Sequence, residues 1–173
     1  MRVGLVSDTH GLFEPRLAQL FAGCDLLLHA GDVVGPHVLR DLARIAPLRA
    51  VRGNNDVGPG DASLPELAWV EIGPLTALVV HEIGSRTRLA PPVRRALARR
   101  PAEIVVHGHS HRPGAALEGG VLFVNPGSAG PRRFSLPRAA GILETRGRHV
   151  SVQLFDVATD RLAPLDRPLE VDL

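Results

Sequence analysis

DLLLHAGDVVGPHVLRDLARIAPLRAVRGNND, residues 25–56, is the stretch on which the fold turns. Asp25–His29 is a short apolar run and reads as a strand. Pro36–Ala46 reads as a helix with proline at its start, where a missing N–H costs nothing. Leu48–Val51 is a second apolar run and a second strand. Strand, helix, strand in that order predicts a parallel pairing. In open α/β sheets, ligands bind beyond the carboxyl ends of the strands. Just past the first run stands Asp32, and just past the second stand Asn54, Asn55 and Asp56. Turn chemistry alone can account for Gly-Asn-Asn-Asp, because these residues tolerate left-handed backbone or bond to it locally. The question is whether their side chains also hold something.

Working outward, Met1–Val6 reads as a further strand and Glu14–Phe21 as a short helix, with Leu17, Leu20 and Phe21 at helical spacing. The front half is therefore β-α-β-α-β. Towards the C-terminus, LAWVEI (67–72) and LTALVVH (75–81) flank Gly73-Pro74 and predict an antiparallel hairpin, although Gly-Pro is not the ideal pair for one. Pro92–Arg100 reads as a helix and Glu103–His107 as a strand. Runs 121–124, 139–144 and 149–155 read as sheet. Residues 156–173 are polar and punctuated by proline, an edge strand or a loose tail. There is no internal repeat and no linker. The expectation is one α/β domain over residues 1–173, with two sheets and helices outside.

Composition removes several chemistries. The chain of 173 residues has ordinary apolar content and should be globular. No apolar run approaches the roughly 20 residues that span a bilayer. MRVGLVSDTHG lacks the apolar core and cleavage site of a signal peptide, so a cytoplasmic location without membrane contact is expected. Cys24 is the only cysteine, which excludes an internal disulfide and a Cys-rich zinc site; its apolar neighbours predict a buried structural thiol. Lysine is absent, which excludes a Walker A loop and Schiff-base chemistry. The pI of 9.8 beside a net charge of +2 follows from arginine, which stays protonated to very high pH. It gives little reason to expect nucleic acid. The cluster Arg94, Arg95, Arg99 and Arg100 reads as a solvated helix face.

The residues that follow the apolar runs form a pattern. Asp8 and His10 follow the first strand, Asp32 the second, Asn54 the third, His81 the run LTALVV, and His109 and His111 the run EIVV. All seven are oxygen or nitrogen donors. Asp8/His10 and His109/His111 are i, i+2 pairs, which point the same way if the backbone is extended. Seven donors exceed what one ion uses unless it is calcium, and calcium avoids imidazole. Two ions about 3.5–4 Å apart that share one carboxylate fit better. Imidazole with carboxylate suits Mn, Fe, Ni, Co or Zn.

DTHG (8–11), GD (31–32), GNND (53–56), His81 and GHSH (108–111) together resemble the calcineurin-like metallophosphoesterases. NPGSAGPRR (125–133) and the short length resemble the small bacterial and archaeal phosphodiesterase branch, relatives of the eukaryotic retromer scaffold subunit. The resemblance spans the chain to about residue 155. It implies a four-layer α/β/β/α sandwich with a dinuclear metal centre. By motif position, Asp8, His10, Asp32 and His111 would bind one ion. Asp32, Asn54, His81 and His109 would bind the other, with Asp32 bridging and positioning the nucleophile. It further implies two divalent transition-metal ions, Mn foremost, a bridging hydroxide for in-line attack at phosphorus, and a small phosphodiester substrate. The net positive charge of such a centre favours an anionic ester.

Several residues depart from the pattern or stand beside it. Many superfamily members carry histidine where this chain has Asn55, and an amide has no proton to give a leaving group. Glu82 replaces a usual glycine after His81 and is expected to face water or to hold a ligand histidine by a hydrogen bond. Asp56 is expected to stabilise its loop or orient a ligand, and Arg132 is a candidate to reach a substrate phosphate. Asn125 and Ser128 suit a tight loop near the rim. His107 and His29 read as structural, His37 and His149 as surface residues. The rival reading is a non-catalytic scaffold of the same fold that binds other proteins. Such a scaffold can lose ligands freely, whereas every expected position here holds a competent side chain. A nuclease would need further domains or a nucleic-acid surface, for which this chain has little room. A homo-oligomer is an open alternative to a monomer.

Overall fold

Three parallel strands carry the front of the chain and leave their polar ends on one edge. The computed structural model describes residues 1–58, 60–133, 135–159 and 161–173. Its elements are β1 (Arg2–Val6), α1 (Arg16–Leu20), β2 (Leu26–His29), α2 (Pro36–Ala43), β3 (Leu48–Ala50), β4 (Leu67–Ile72), β5 (Leu75–Val80), α3 (Pro91–Arg99), β6 (Ile104–Val106), β7 (Gly114–Glu118), β8 (Val121–Asn125), β9 (Ala139–Arg146), β10 (His149–Asp156), β11 (Ala163–Pro164) and β12 (Leu169–Asp172). One sheet runs β10-β9-β1-β2-β3, with β11 and β12 one after the other along the free edge of β10. The other runs β4-β5-β6-β8-β7.

Side-chain alternation makes the layers. Val3 and Leu5 of β1 and Leu28 of β2 face the second sheet, where they meet Ala77 and Val79 of β5, Ile104 and Val106 of β6 and Leu122 and Val124 of β8. Val6 and Leu27 point the other way, onto Leu17 and Phe21 near α1 and Val38 and Leu42 of α2. Leu78, Val105 and Phe123 point outward from the second sheet onto Val93 of α3. Two helices, two sheets and one helix give the α/β/β/α sandwich. Strands buried on both faces read as unbroken apolar runs, which is why they were visible in the sequence.

Register then aligns the rims. Val6, His29 and Ala50 lie abreast in the first sheet. Val79, Val106 and Val124 lie abreast in the second. The loops that leave these positions carry every candidate donor.

Some elements differ from expectation. α2 stops at Ala43 rather than Ala46; Pro47 has no N–H to bond the Ala43 carbonyl and also disfavours helical backbone at Ala46. α1 starts at Arg16, not Glu14; the Glu14 carboxylate instead accepts the Arg16 backbone N–H at 3.3 Å. The β4–β5 hairpin forms as expected, and Gly-Pro suits it better than supposed. Gly73 has φ 62° and the Pro74 ring holds φ near −65°, the sign pattern of a type II′ turn. Strand β7, GAALE, was not foreseen; it has neither β-branched residues nor clean alternation, and β8 pairing alone defines it. The C-terminal stretch contributes β11 and β12, and position 160 within it lies outside the described residues. No helix of the described residues is long and apolar enough to cross a membrane.

Candidate metal centre

The donors sit on loops whose backbone is bent against local preference. Asp8, His10, Asp32, His109 and His111 all have φ between 46° and 68°. The i, i+2 pairs are therefore not in extended backbone, which corrects the sequence reading. Asp8 and His10 do converge: Asp8 Oδ1 and His10 Nε2 lie 3.2 and 3.3 Å from His111 Nε2. His109 and His111 do not converge. His111 joins Asp8 and His10, whereas His109 Nδ1 lies 3.0 Å from Asn54 Oδ1.

Two donor groups result. The first is Asp8, His10 and His111. The second is His81, Asn54 and His109, with His81 Nε2 3.1 Å from Asn54 Oδ1. Asp32 stands between them, its Oδ2 3.8 Å from His10 Nε2 and 3.5 Å from His81 Nε2. Asp8, Asp32 and His81 also form a close cluster of their own.

The surroundings prepare these groups. His81 Nδ1 donates to Ala30 O at 2.8 Å, which leaves Nε2 as the inward-facing nitrogen. Asp8 Oδ2 accepts from Ser7 Oγ at 2.6 Å and from the His109 backbone N–H at 3.1 Å. Its other oxygen, Oδ1, is buried with no hydrogen-bond partner. An unsatisfied buried anionic oxygen is costly, and a cation is the natural remedy. Asp32 accepts two bonds from Asn55, from its backbone N–H at 2.8 Å and its side-chain amide at 2.6 Å. Burial opposes the Asp32 charge, but these bonds and His81 outweigh it and hold the carboxyl well below the usual range. Burial likewise disfavours charged His81, yet Asp32, Asp8 and the Ala30 carbonyl prevail and raise its pKa. Burial and then the Arg133 guanidinium push His10 down, against the pull of Asp32 and Asp8.

Glycines precede Asn54 and His109 because nothing else fits. A Cβ on Gly53 would land on Asp32 Oδ1, and one on Gly108 would land on Ser7 Oγ. Asp56 staples two loops: its Oδ1 accepts from Val34 N at 2.8 Å and its Oδ2 from Gly53 N at 2.7 Å. Ser128 Oγ donates to Asp8 O at 2.8 Å, and Asn125 holds the Gly108 carbonyl at 2.9 Å.

Arg132 is exposed, and among the described residues no hydrogen bond or ion pair joins it to the donors; the charge that reaches His10 comes from Arg133. Glu82 is exposed, with Oε1 3.9 Å from His109 Nε2. His107 stays outside both groups and accepts from Asn125 Nδ2 at 3.4 Å. His29 is fully buried; Gly31 N–H donates to its Nδ1 at 3.2 Å, and its Nε2 meets Thr9 Oγ1 at 3.0 Å. His37 reaches Gly11 O and His149 reaches Asp172, both at the surface. Cys24 is half-buried rather than buried. The sequence reading missed Ser7, whose hydroxyl next to a candidate ligand carried no pattern of its own. It also missed Arg138, which joins Glu14 at 2.9 Å and holds the carbonyls of Ala129 and Gly130.

The chain matches known proteins over most of its length. The calcineurin-like phosphoesterase superfamily domain matches residues 1–148. A probable metallophosphoesterase of Methanothermobacter thermautotrophicus is 29% identical over 163 residues, covering 90% of this chain and 92% of that protein. Another, from Methanocaldococcus jannaschii, is 32% identical over 135 residues, covering 74% and 68%. Vacuolar protein sorting 29 from Cryptosporidium parvum has the same fold, with a TM-score of 0.80 at 21% identity over 99% of this chain and 98% of that one. With its donor groups on the rims of two stacked sheets, the chain belongs to the calcineurin-like phosphoesterase superfamily.

Proposed function

We propose that the chain is a metal-dependent phosphodiesterase. The observation that carries this reading is the buried Asp8 Oδ1, which accepts no hydrogen bond and lies 3.2 Å from His111 Nε2 among the imidazole nitrogens and carboxylate oxygens of the rim. Asp8, His10, Asp32 and His111 would hold one divalent ion. Asp32, Asn54, His81 and His109 would hold a second, with Asp32 shared. Mixed imidazole and carboxylate donors suit Mn and also Fe, Ni, Co or Zn. When bound, two such ions neutralise charge on a phosphoryl group and lower the pKa of water between them.

The chain's own residues supply the rest. The Ala30 carbonyl orients His81, and Ser7 with the His109 N–H orients Asp8. Asn55 positions Asp32 and offers only an amide, so no side chain at that place can protonate a leaving group. General-acid help is typically worth about 10²–10⁴-fold. The rate of the chemical step should therefore fall steeply along a series of aryl phosphodiesters of rising leaving-group pKa. A flat series means that another acid serves.

The deciding experiment is metal analysis with a phosphoester panel on protein purified without chelator, beside Asp32→Ala and Asn54→Ala. Metal should be stoichiometric, and activity on diesters should exceed that on monoesters. Each variant should lose metal and at least a hundredfold in kcat. Activity that survives Asp32→Ala removes the site assignment. Tightly held metal with no hydrolysis of any phosphoester favours a scaffold role instead.

A further inference from the structure

Beside the loop that carries His109 and His111 lies a cavity of about 330 Å³, at the lower end of the range for ligand pockets. The loop has two sides. His109 and His111 belong to the donor groups, while His107, Ser110 and Arg112 line the cavity. Asn125 ties the sides together, since its Nδ2 donates to Gly108 O at 2.9 Å and to Ser110 Oγ at 3.0 Å. Arg86 lines the cavity from the other lip. It sits at the tip of a closed turn, in which Ser85 and Arg88 exchange backbone hydrogen bonds at 3.2 Å. Phe123 contributes an aromatic wall.

The charges around this cavity are one-sided. Two arginines line it and no carboxylate does. Among the described residues neither Arg86 nor Arg112 has a carboxylate partner, whereas Arg2, Arg138 and Arg148 each pair with a glutamate. Both arginines are exposed on the lining of one cavity, and an oxyanion bound there would accept from their guanidiniums. The planar fork of arginine fits phosphate and carboxylate oxygens.

We propose that this cavity is a subsite for a second anionic group, phosphate or carboxylate, carried by the ester held at the metal rim. The inference rests on the phosphodiesterase reading and sharpens it. The favoured substrates are diesters one half of which is itself anionic, rather than diesters of two neutral alcohols.

Two measurements separate the proposal from the reading beneath it. Inorganic phosphate is titrated calorimetrically into the chelator-treated chain. Binding should be saturable, at least fivefold weaker in the Arg86→Gln/Arg112→Gln variant, and within twofold of wild type in Arg94→Gln. The Mn-loaded chain is then given two aryl phosphodiesters that differ by one ring carboxylate. Wild type should favour the carboxylated ester at least fivefold in kcat/KM, and the double variant should lose that preference through KM. Phosphate binding indifferent to the two arginines, or equal preference in both proteins, overturns the proposal. Arginine-dependent phosphate binding with neither ester hydrolysed keeps the anion site and removes the ester. Hydrolysis of both esters without arginine dependence keeps the phosphodiesterase and removes the subsite.

Discussion

His109 is exposed and has φ 68°, a conformation its side chain disfavours. Asp8, His10, Asp32 and His111 also have positive φ, although none of them is exposed. Left-handed backbone costs a non-glycine residue roughly 1–2 kcal/mol, and such strain concentrates at functional sites. Local preference therefore did not choose these conformations; the packed rims around them did. A pair of variants isolates the cost. His109→Ala and His109→Gly both remove the imidazole and differ only in backbone freedom. In the presence of chelator, His109→Gly should be about 0.5–1 kcal/mol more stable than His109→Ala by urea denaturation. Equal stabilities mean that the loop relaxes and stores nothing. The donors themselves were legible in the sequence, because each follows an apolar run and is Asp, Asn or His. Their backbone was not legible. Spacing of i, i+2 suggested extended chain, and only the close approach of Gly53 to Asp32 and Gly108 to Ser7 shows why the chain bends instead.

At the scale of elements, the strands were readable and their ends were not. β1, β2, β5, β6 and β8 bury both faces, so hydrophobicity alone marks them. β7 shows only a half-exposed surface and leaves no such mark. The loops between elements depend on polar staples that composition cannot reveal. Asp56 is the chief one, buried at 2% exposure and accepting from both the Val34 and Gly53 N–H groups. These bonds tie the loop after β2 to the loop after β3, and hence Asp32 to Asn54. Asp56→Ala removes both acceptors and leaves two backbone donors to find others. It should destabilise the fold by about 2–4 kcal/mol, with faster metal loss to chelator. Asp56→Asn keeps one acceptor oxygen and should fall between Ala and wild type in both measurements. A loss under about 0.5 kcal/mol for Asp56→Ala would mean that the loops hold without the staple.

Across the whole molecule, the packed loops that follow β1 and β2 trap a histidine whose neutrality is part of folding. His29 ends β2 at zero exposure, its ring nitrogens occupied by the Gly31 N–H and Thr9 Oγ1. Burial pushes its pKa down to about 4, although Asp8 and Asp56 pull upward. In the unfolded chain the same ring titrates near 6.5. Between these values the unfolded state binds the proton and the folded state does not. The His29 contribution is therefore complete above pH 6.5 and is lost as pH falls towards 4, about 3 kcal/mol in all. His10 and His107 are also lowered and add slope of the same sign. His81 is raised, so its contribution is largest at low pH and fades as pH rises through its folded value. A single pH scan mixes these terms, and a paired scan separates one of them. Urea stability of chelator-treated wild type and His29→Gln is measured from pH 7.5 to 4.0; chelation keeps metal release out of the comparison. Glutamine cannot take a proton, so the variant should lose less stability than wild type over that range. The gap between the two proteins should shift by about 3 kcal/mol in favour of the variant at the acid end. A gap constant with pH means that His29 titrates alike in both states and that burial there exacts no charge penalty.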